Sequence, residues 1–176
     1  MASIFGHVIA SSALGVGAFP KHLRFGSILL TGFCAFAPDL DVIGFRMGVD
    51  YGSQWGHRGF THSLVFALVF GCLMAWIFVR DKSRLPAMML WCVLSTASHP
   101  LLDMLTTGGR GIALWWPFSL ERIFFPIRPI LVSPISIGAF FSDWGQQVLW
   151  SEAKWIALPG IFFILVFTGL RRLYKG

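Results

Sequence analysis

Long apolar runs alternate along the chain with short polar interruptions, and five of the runs have the length and character of membrane helices. The first, residues 3–19, mixes Gly, Ala and Ser with larger apolar residues and ends at Pro20. Small residues let helices approach closely in lipid, so this helix is expected inside a bundle. The second run, 25–37, stops before Pro38, because a residue preceding proline disfavours helical backbone. A polar stretch containing glycines, 42–59, reads as a loop. The third run covers 62–79, with Thr61 or Ser63 placed to cap it. The fourth, 86–105, has Pro86 in its first turn and stops at Thr106-Thr107-Gly108-Gly109. Pro100 lies inside it and predicts a kink beside His99. The fifth covers 155–170. Between the last two runs the pattern is lost. Residues 110–154 carry Trp115, Trp116, Trp144 and Trp150 and an apolar stretch interrupted by Pro134 and Gly138, which predicts an interfacial or re-entrant aromatic cap.

Composition strengthens the membrane reading. Of 176 residues, 56% are hydrophobic and only 12% charged, and mean hydropathy is +0.71. These values lie far from soluble averages. The expected fold is a single transmembrane domain over 1–176, all-α, with about five spans. The N-terminus lacks a basic region and a clear cleavage site, so the first helix is expected to be retained rather than removed as a signal peptide. Cys34, Cys72 and Cys92 all fall in apolar runs without metal-type spacing and read as small buried side chains.

The net charge of +6 comes from cations flanking apolar runs, so it predicts orientation in the bilayer and no nucleic-acid partner. Five spans divide the cations into two sets. Lys21, Arg24, Arg80, Lys82, Arg84, Arg171, Arg172 and Lys175 fall on one side, in short turns and the tail. Arg46, Arg58, Arg110, Arg122, Arg128 and Lys154 fall on the other, four of them in the long fourth connection, where the rule weakens. The expected arrangement puts the N-terminus outside and the C-terminus in the cytoplasm of a bacterial inner membrane.

On that layout His7, Asp39, Asp41, His57, His62, His99 and Asp103 all lie at the outer ends of their helices. Read singly, each has an ordinary explanation: a His–Asp pair can satisfy itself, and Asp39-x-Asp41 after a proline can be a turn device. Read together, ionisable groups at membrane depth point to function. His99 and Asp103 are four apart and share a helix face. Imidazole and carboxylate form the ligand set of zinc, manganese or iron. All seven residues are candidate ligands, and the sequence leaves open which of Asp39/Asp41 and His57/His62 touch the ion. A divalent metal with an open position lowers the pKa of bound water toward about 7 and makes a hydrolytic nucleophile. Asp39 and Asp41 are candidates to orient it or take its proton. Arg58 between the two histidines is a candidate phosphate clamp, as are Arg110, Arg122 and Arg128.

These residues also carry a family resemblance. His7, Pro38-Asp39-Leu40-Asp41, His57-Arg58-Gly59-x-Thr61-His62-Ser63 and His99-x-x-x-Asp103 resemble the YdjM-like family of bacterial inner-membrane proteins, predicted metal-dependent hydrolases. The likeness covers about residues 1–110. More remotely, the order of these residues is similar to that of zinc-dependent phospholipase C and its nuclease relatives. That similarity implies one metal, zinc, held by Asp39 or Asp41, His62, His99 and Asp103, with His7 and a bridging Asp103 helping to hold a second. No histidine follows His99, so the likeness extends to one or two metals. The resemblance implies hydrolysis of a phosphoester in a membrane lipid or lipid-linked substrate. A non-catalytic protein with a structural metal or lipid pocket, and a metal or ion transporter, are the competing classes.

Overall fold

A computed structural model describes residues 1–134 and 136–174. Lys175 of the basic tail, and Ile135 within the expected cap, lie outside the described residues. Among the described residues seven α-helices follow in order: α1 (Ile4–Ala18), α2 (Phe25–Phe36), α3 (Leu64–Phe78), α4 (Leu85–Met104), a single turn α5 (Ile137–Phe140), α6 (Asp143–Glu152) and α7 (Leu158–Leu173). Two isolated bridges, Thr106 with Ile130 and Ile112 with Ile123, are the β-type pairings among the described residues. The fold is all-helical.

Among the described residues three stretches are long and apolar enough to cross a membrane: Phe25–Met47, Leu85–Met104 and Asp143–Leu173. Ile4–Ala18 and Leu64–Phe78 are shorter apolar helices. Two boundaries differ from the sequence reading. Past α2 the chain does not open into a loop at residue 42 but winds on as a 3-10 helix, Ala37–Met47, until Gly48 takes a left-handed φ of 78°. The last helix starts twelve residues earlier than residue 155: α6 runs through a π turn, Ala153–Ala157, straight into α7. The polar Ser151-Glu152 pair that interrupts the apolar pattern is turned inward, so periodicity alone hid the continuity. Ser63, not Thr61, caps α3 by accepting from the Phe66 amide at 3.0 Å. α4 stays helical through Pro100.

α4 is the central helix, in contact with α1, α2 and α3, while α7 lies along α1. Close approach is built in at Gly71, where an added Cβ would stand 2.6 Å from the backbone of Val93, so α3 and α4 meet almost backbone to backbone. Trp91 of α4 is fully buried, stacks on Phe19 at 5.7 Å and donates its indole N–H to the Ser11 carbonyl at 3.2 Å. Cys34 and Cys92 are buried beside it and Cys72 is half-buried, all three free thiols. The opposite surfaces are apolar and exposed: Phe25, Val69, Trp76, Phe78, Phe162 and Leu165 face outward, and α7 buries no residue fully. Such a surface is unfavourable in water and suited to lipid.

Candidate metal centre

Four elements bring the polar residues to one end of the bundle. α1 supplies His7, the 3-10 segment Asp39 and Asp41, the loop before α3 His57, Arg58 and His62, and α4 His99 and Asp103. At about three residues per turn, side chains two apart on a 3-10 helix point in very different directions. Asp39 and Asp41 therefore serve opposite edges of one ring. Asp39 Oδ1 lies 3.5 Å from His62 Nε2, and Asp41 Oδ2 lies 3.3 Å from His62 Nδ1.

The loop carrying His57 and Arg58 is tightly wound. A Cβ at Gly56 would stand 2.0 Å from the Asp50 carbonyl oxygen, and one at Gly59 2.2 Å from that of Gln54. Arg58 adopts a left-handed φ of 68°, rare for a residue with a side chain. That turn sends Arg58 inward and lets His57 and His62, five apart, approach with ring centroids 5.2 Å apart.

Ligand atoms of Asp39, His62, His99 and Asp103 all lie within 4.8 Å of one another, and all four residues are buried. Their protonation follows from their outer partners. His99 Nδ1 is 2.7 Å from the Ala35 carbonyl oxygen, which can only accept, so Nδ1 carries the proton and Nε2 the lone pair. Thr61 donates its hydroxyl to Asp41 at 2.6 Å and lies 3.0 Å from His62 Nδ1, so that nitrogen too is the donor and His62 Nε2 is the atom turned to the centre. The two Nε2 atoms face each other at 3.1 Å, with Asp39 Oδ1 3.2 Å from that of His99. Neither Asp39 oxygen, nor Asp103 Oδ2, has a hydrogen bond, although all are buried. Asp103 is partly compensated by Arg58 at 3.3 Å and by the Ala2 amide at 2.7 Å, whereas both buried Asp39 oxygens lack a donor and face the two imidazoles, an arrangement that a bound cation would stabilise. The donor set fits a divalent transition metal of the zinc type.

The other candidates take distinct places. His7 stacks on His99 with centroids 3.7 Å apart, its Nε2 3.5 Å from Asp103 Oδ1, and neither of its ring nitrogens is hydrogen-bonded. His57 Nδ1 is 2.7 Å from Asp41 Oδ1, and Asp41, His57 and His62 form a second group of close ligand atoms. With donors from His57, Thr61 and the Arg58 amide, Asp41 is fully engaged and orients both histidines. Arg58, fully buried, donates to the Gly108 carbonyl at 2.7 Å and Thr106 Oγ1 at 3.1 Å, and its Nη2 lies 3.3 Å from Asp103 Oδ2. Arg122 donates to the carbonyls of His57, Tyr51 and Ser53 and so ties down the loop; burial lowers its pKa below the ordinary value. Arg110 and Arg128 are exposed, each over an aromatic ring, Tyr51 and Phe124.

The whole chain matches one described family: the sequence profile of the YdjM inner membrane protein family covers residues 1–174. The chain belongs to that family. Among YdjM-related sequences, the inner membrane protein YbcI of Escherichia coli (strain K12) is 39% identical over 177 residues, covering 98% of this chain and all of that protein. No solved structure matches, and neither comparison brings in zinc-dependent phospholipase C. YdjM membership therefore agrees with the resemblance carried by the His and Asp motifs and with the apolar helices.

Glu152 was not among the residues singled out from sequence. Its carboxylate accepts from the Ser3 amide at 2.5 Å and the Ser3 hydroxyl at 2.6 Å, holding the N-terminus of the helix that carries His7. A lone acid between Trp150 and Trp155 at the edge of an apolar run was the available signal.

Proposed function

We propose that this membrane protein is a metal-dependent hydrolase acting on a phosphoester of a lipid or lipid-linked substrate at the outer face of the inner membrane. The observation that carries it is the buried quartet Asp39, His62, His99 and Asp103, in which both Asp39 oxygens and Asp103 Oδ2 lack a hydrogen bond. In this reading those four residues hold zinc or a similar ion, and His7, with a bridging Asp103, helps to hold a second. A divalent ion there supplies Lewis acidity and activates water. The proton is the work of His57: donating Nδ1–H to Asp41 leaves its Nε2 basic, and Asp41 fixes that tautomer. Exposed Arg110 and Arg128 are the substrate-phosphate contacts, while Arg58 and Arg122 hold the site together. The lipid substrate class follows from the position of the centre at one end of an apolar bundle.

The test is a kinetic separation with phospholipids, lipid-linked phosphates and aryl phosphodiesters in detergent and bilayers. His57→Gln is expected to keep its metal and lose rate by about 10²–10⁴-fold, and chelation to abolish activity until metal is restored. A structural-metal reading is favoured by one feature, four buried protein donors, which suffice to close a tetrahedral site. Metal-loaded wild type that turns over none of these substrates decides for it.

Orientation is part of the same proposal. Arg58 is buried against Asp103, so the cations free to set topology favour the opposite end as cytoplasmic. Gln54→Cys is expected to react with an impermeant thiol reagent on intact cells, and Lys82→Cys only after permeabilisation. The reverse pattern places the centre in the cytoplasm.

A further inference from the structure

At the end of the bundle away from the His/Asp centre, a cleft of about 850 Å³ opens between the start of α2 and the α3–α4 turn. Arg84 at its rim precedes His99 by fifteen positions, or about 22 Å along α4 at about 1.5 Å per residue, so the cleft is separate from the metal centre. Its walls include Leu29 and Phe33 of α2, Phe78 at the end of α3, and Met88 of α4. Leu29 and Phe78 are 57% and 65% exposed, so the wall is open to the bilayer. Its rim is basic. Arg24, Arg80 and Arg84 line it with one acid, Asp81, whose carboxylate already accepts from the Ser83 amide at 3.0 Å and hydroxyl at 2.7 Å.

Two further observations point to an anion. Arg84 is held in place by donating to the His22 carbonyl at 2.9 Å and Ser27 Oγ at 3.1 Å, yet its Nε is buried without a hydrogen-bond partner among the described residues. α2 begins here with no side-chain cap and no acidic residue in its first turn, and a Cβ added at Gly26 would meet nothing within 4 Å. The positive end of a helix thus faces open space beside three guanidinium groups.

We propose that this cleft binds an anionic glycerophospholipid, its phosphate among Arg24, Arg80 and Arg84 and an acyl chain along Leu29, Phe33 and Phe78. Basic pockets between membrane helices recognise lipid headgroups in this way. The apolar wall selects a lipid over a soluble phosphate: free phosphate would satisfy the arginines and leave the wall without a partner. This inference does not depend on the hydrolase reading.

The test uses the full chain in mild detergent, titrated with dioleoyl phosphatidylglycerol, dioleoyl phosphatidylcholine or inorganic phosphate, and read by native mass spectrometry and thermal unfolding. Wild type is expected to prefer the phosphatidylglycerol by about tenfold or more. The double variant R24Q/R80Q is expected to bind both lipids equally, and the control K21Q/K82Q, which removes two charges outside the cleft, to keep the preference. Gly26→Phe, placed in open space, is expected to block binding while the bundle stays folded, and it carries the test if R24Q/R80Q fails to fold. Equal binding of the two lipids by wild type overturns the proposal. So does loss of preference in the control, which reveals a diffuse basic belt, or full displacement of the lipid by inorganic phosphate.

Discussion

Replacing His99 with alanine is expected to strip the protein of its divalent metal. Wild type purified without chelator from metal-replete cells is expected to hold about one to two equivalents of a transition metal, zinc foremost. His99 is one of two imidazole donors, and its orientation is fixed by the Ala35 carbonyl. Changing such an outer partner alone typically costs about 10–100-fold in affinity, so loss of the ligand itself exceeds that. The control is His22→Ala, at the basic turn away from the centre. Elemental analysis of the two variants beside wild type checks it. Wild type without metal, or His99→Ala retaining it, ends the metal reading.

The second large effect concerns Arg58. Read from sequence it is a candidate clamp for substrate phosphate, whose loss mainly weakens substrate binding. The structure instead surrounds it with the Gly108 carbonyl, the Thr106 hydroxyl and Asp103, with no exposed surface. Removing one partner of a buried ion pair leaves the other charge uncompensated and costs about 3–5 kcal/mol. Arg58→Met is therefore expected to lower the unfolding temperature in detergent by many degrees. Arg58→Lys is expected to rescue little, because an ammonium cannot span the same three acceptors in a plane. A variant that melts like wild type but binds substrate poorly restores the clamp.

The polar residues of the centre stood out in sequence because histidine and aspartate are costly in apolar runs, and the structure brings Asp39, His62, His99 and Asp103 together. What the sequence hid was conformation. The 3-10 winding of Ala37–Met47 decides that Asp39 and Asp41 face opposite edges of His62, and no residue pattern announces that winding. The positive φ of Arg58 turns it inward, where a residue other than glycine gives no hint of such a backbone. The early start of the last helix was masked because Glu152 faces α1 instead of water. Two of these are backbone conformations with no residue signature, and the third is a polar side chain whose partner lies 149 positions away.

Glu152 and Ser3 are 149 positions apart, and their contact sets a timetable for biogenesis. At about 5–20 residues per second, α1 leaves the ribosome roughly 7–30 s before the acid that anchors it exists. Until then the start of that helix, with His7 on it, has no such partner. The last long helix thus completes the seating of α1, and a nascent chain stalled before it would hold its N-terminus, and His7 with it, by the Ala2–Asp103 contact without the Glu152 clasp.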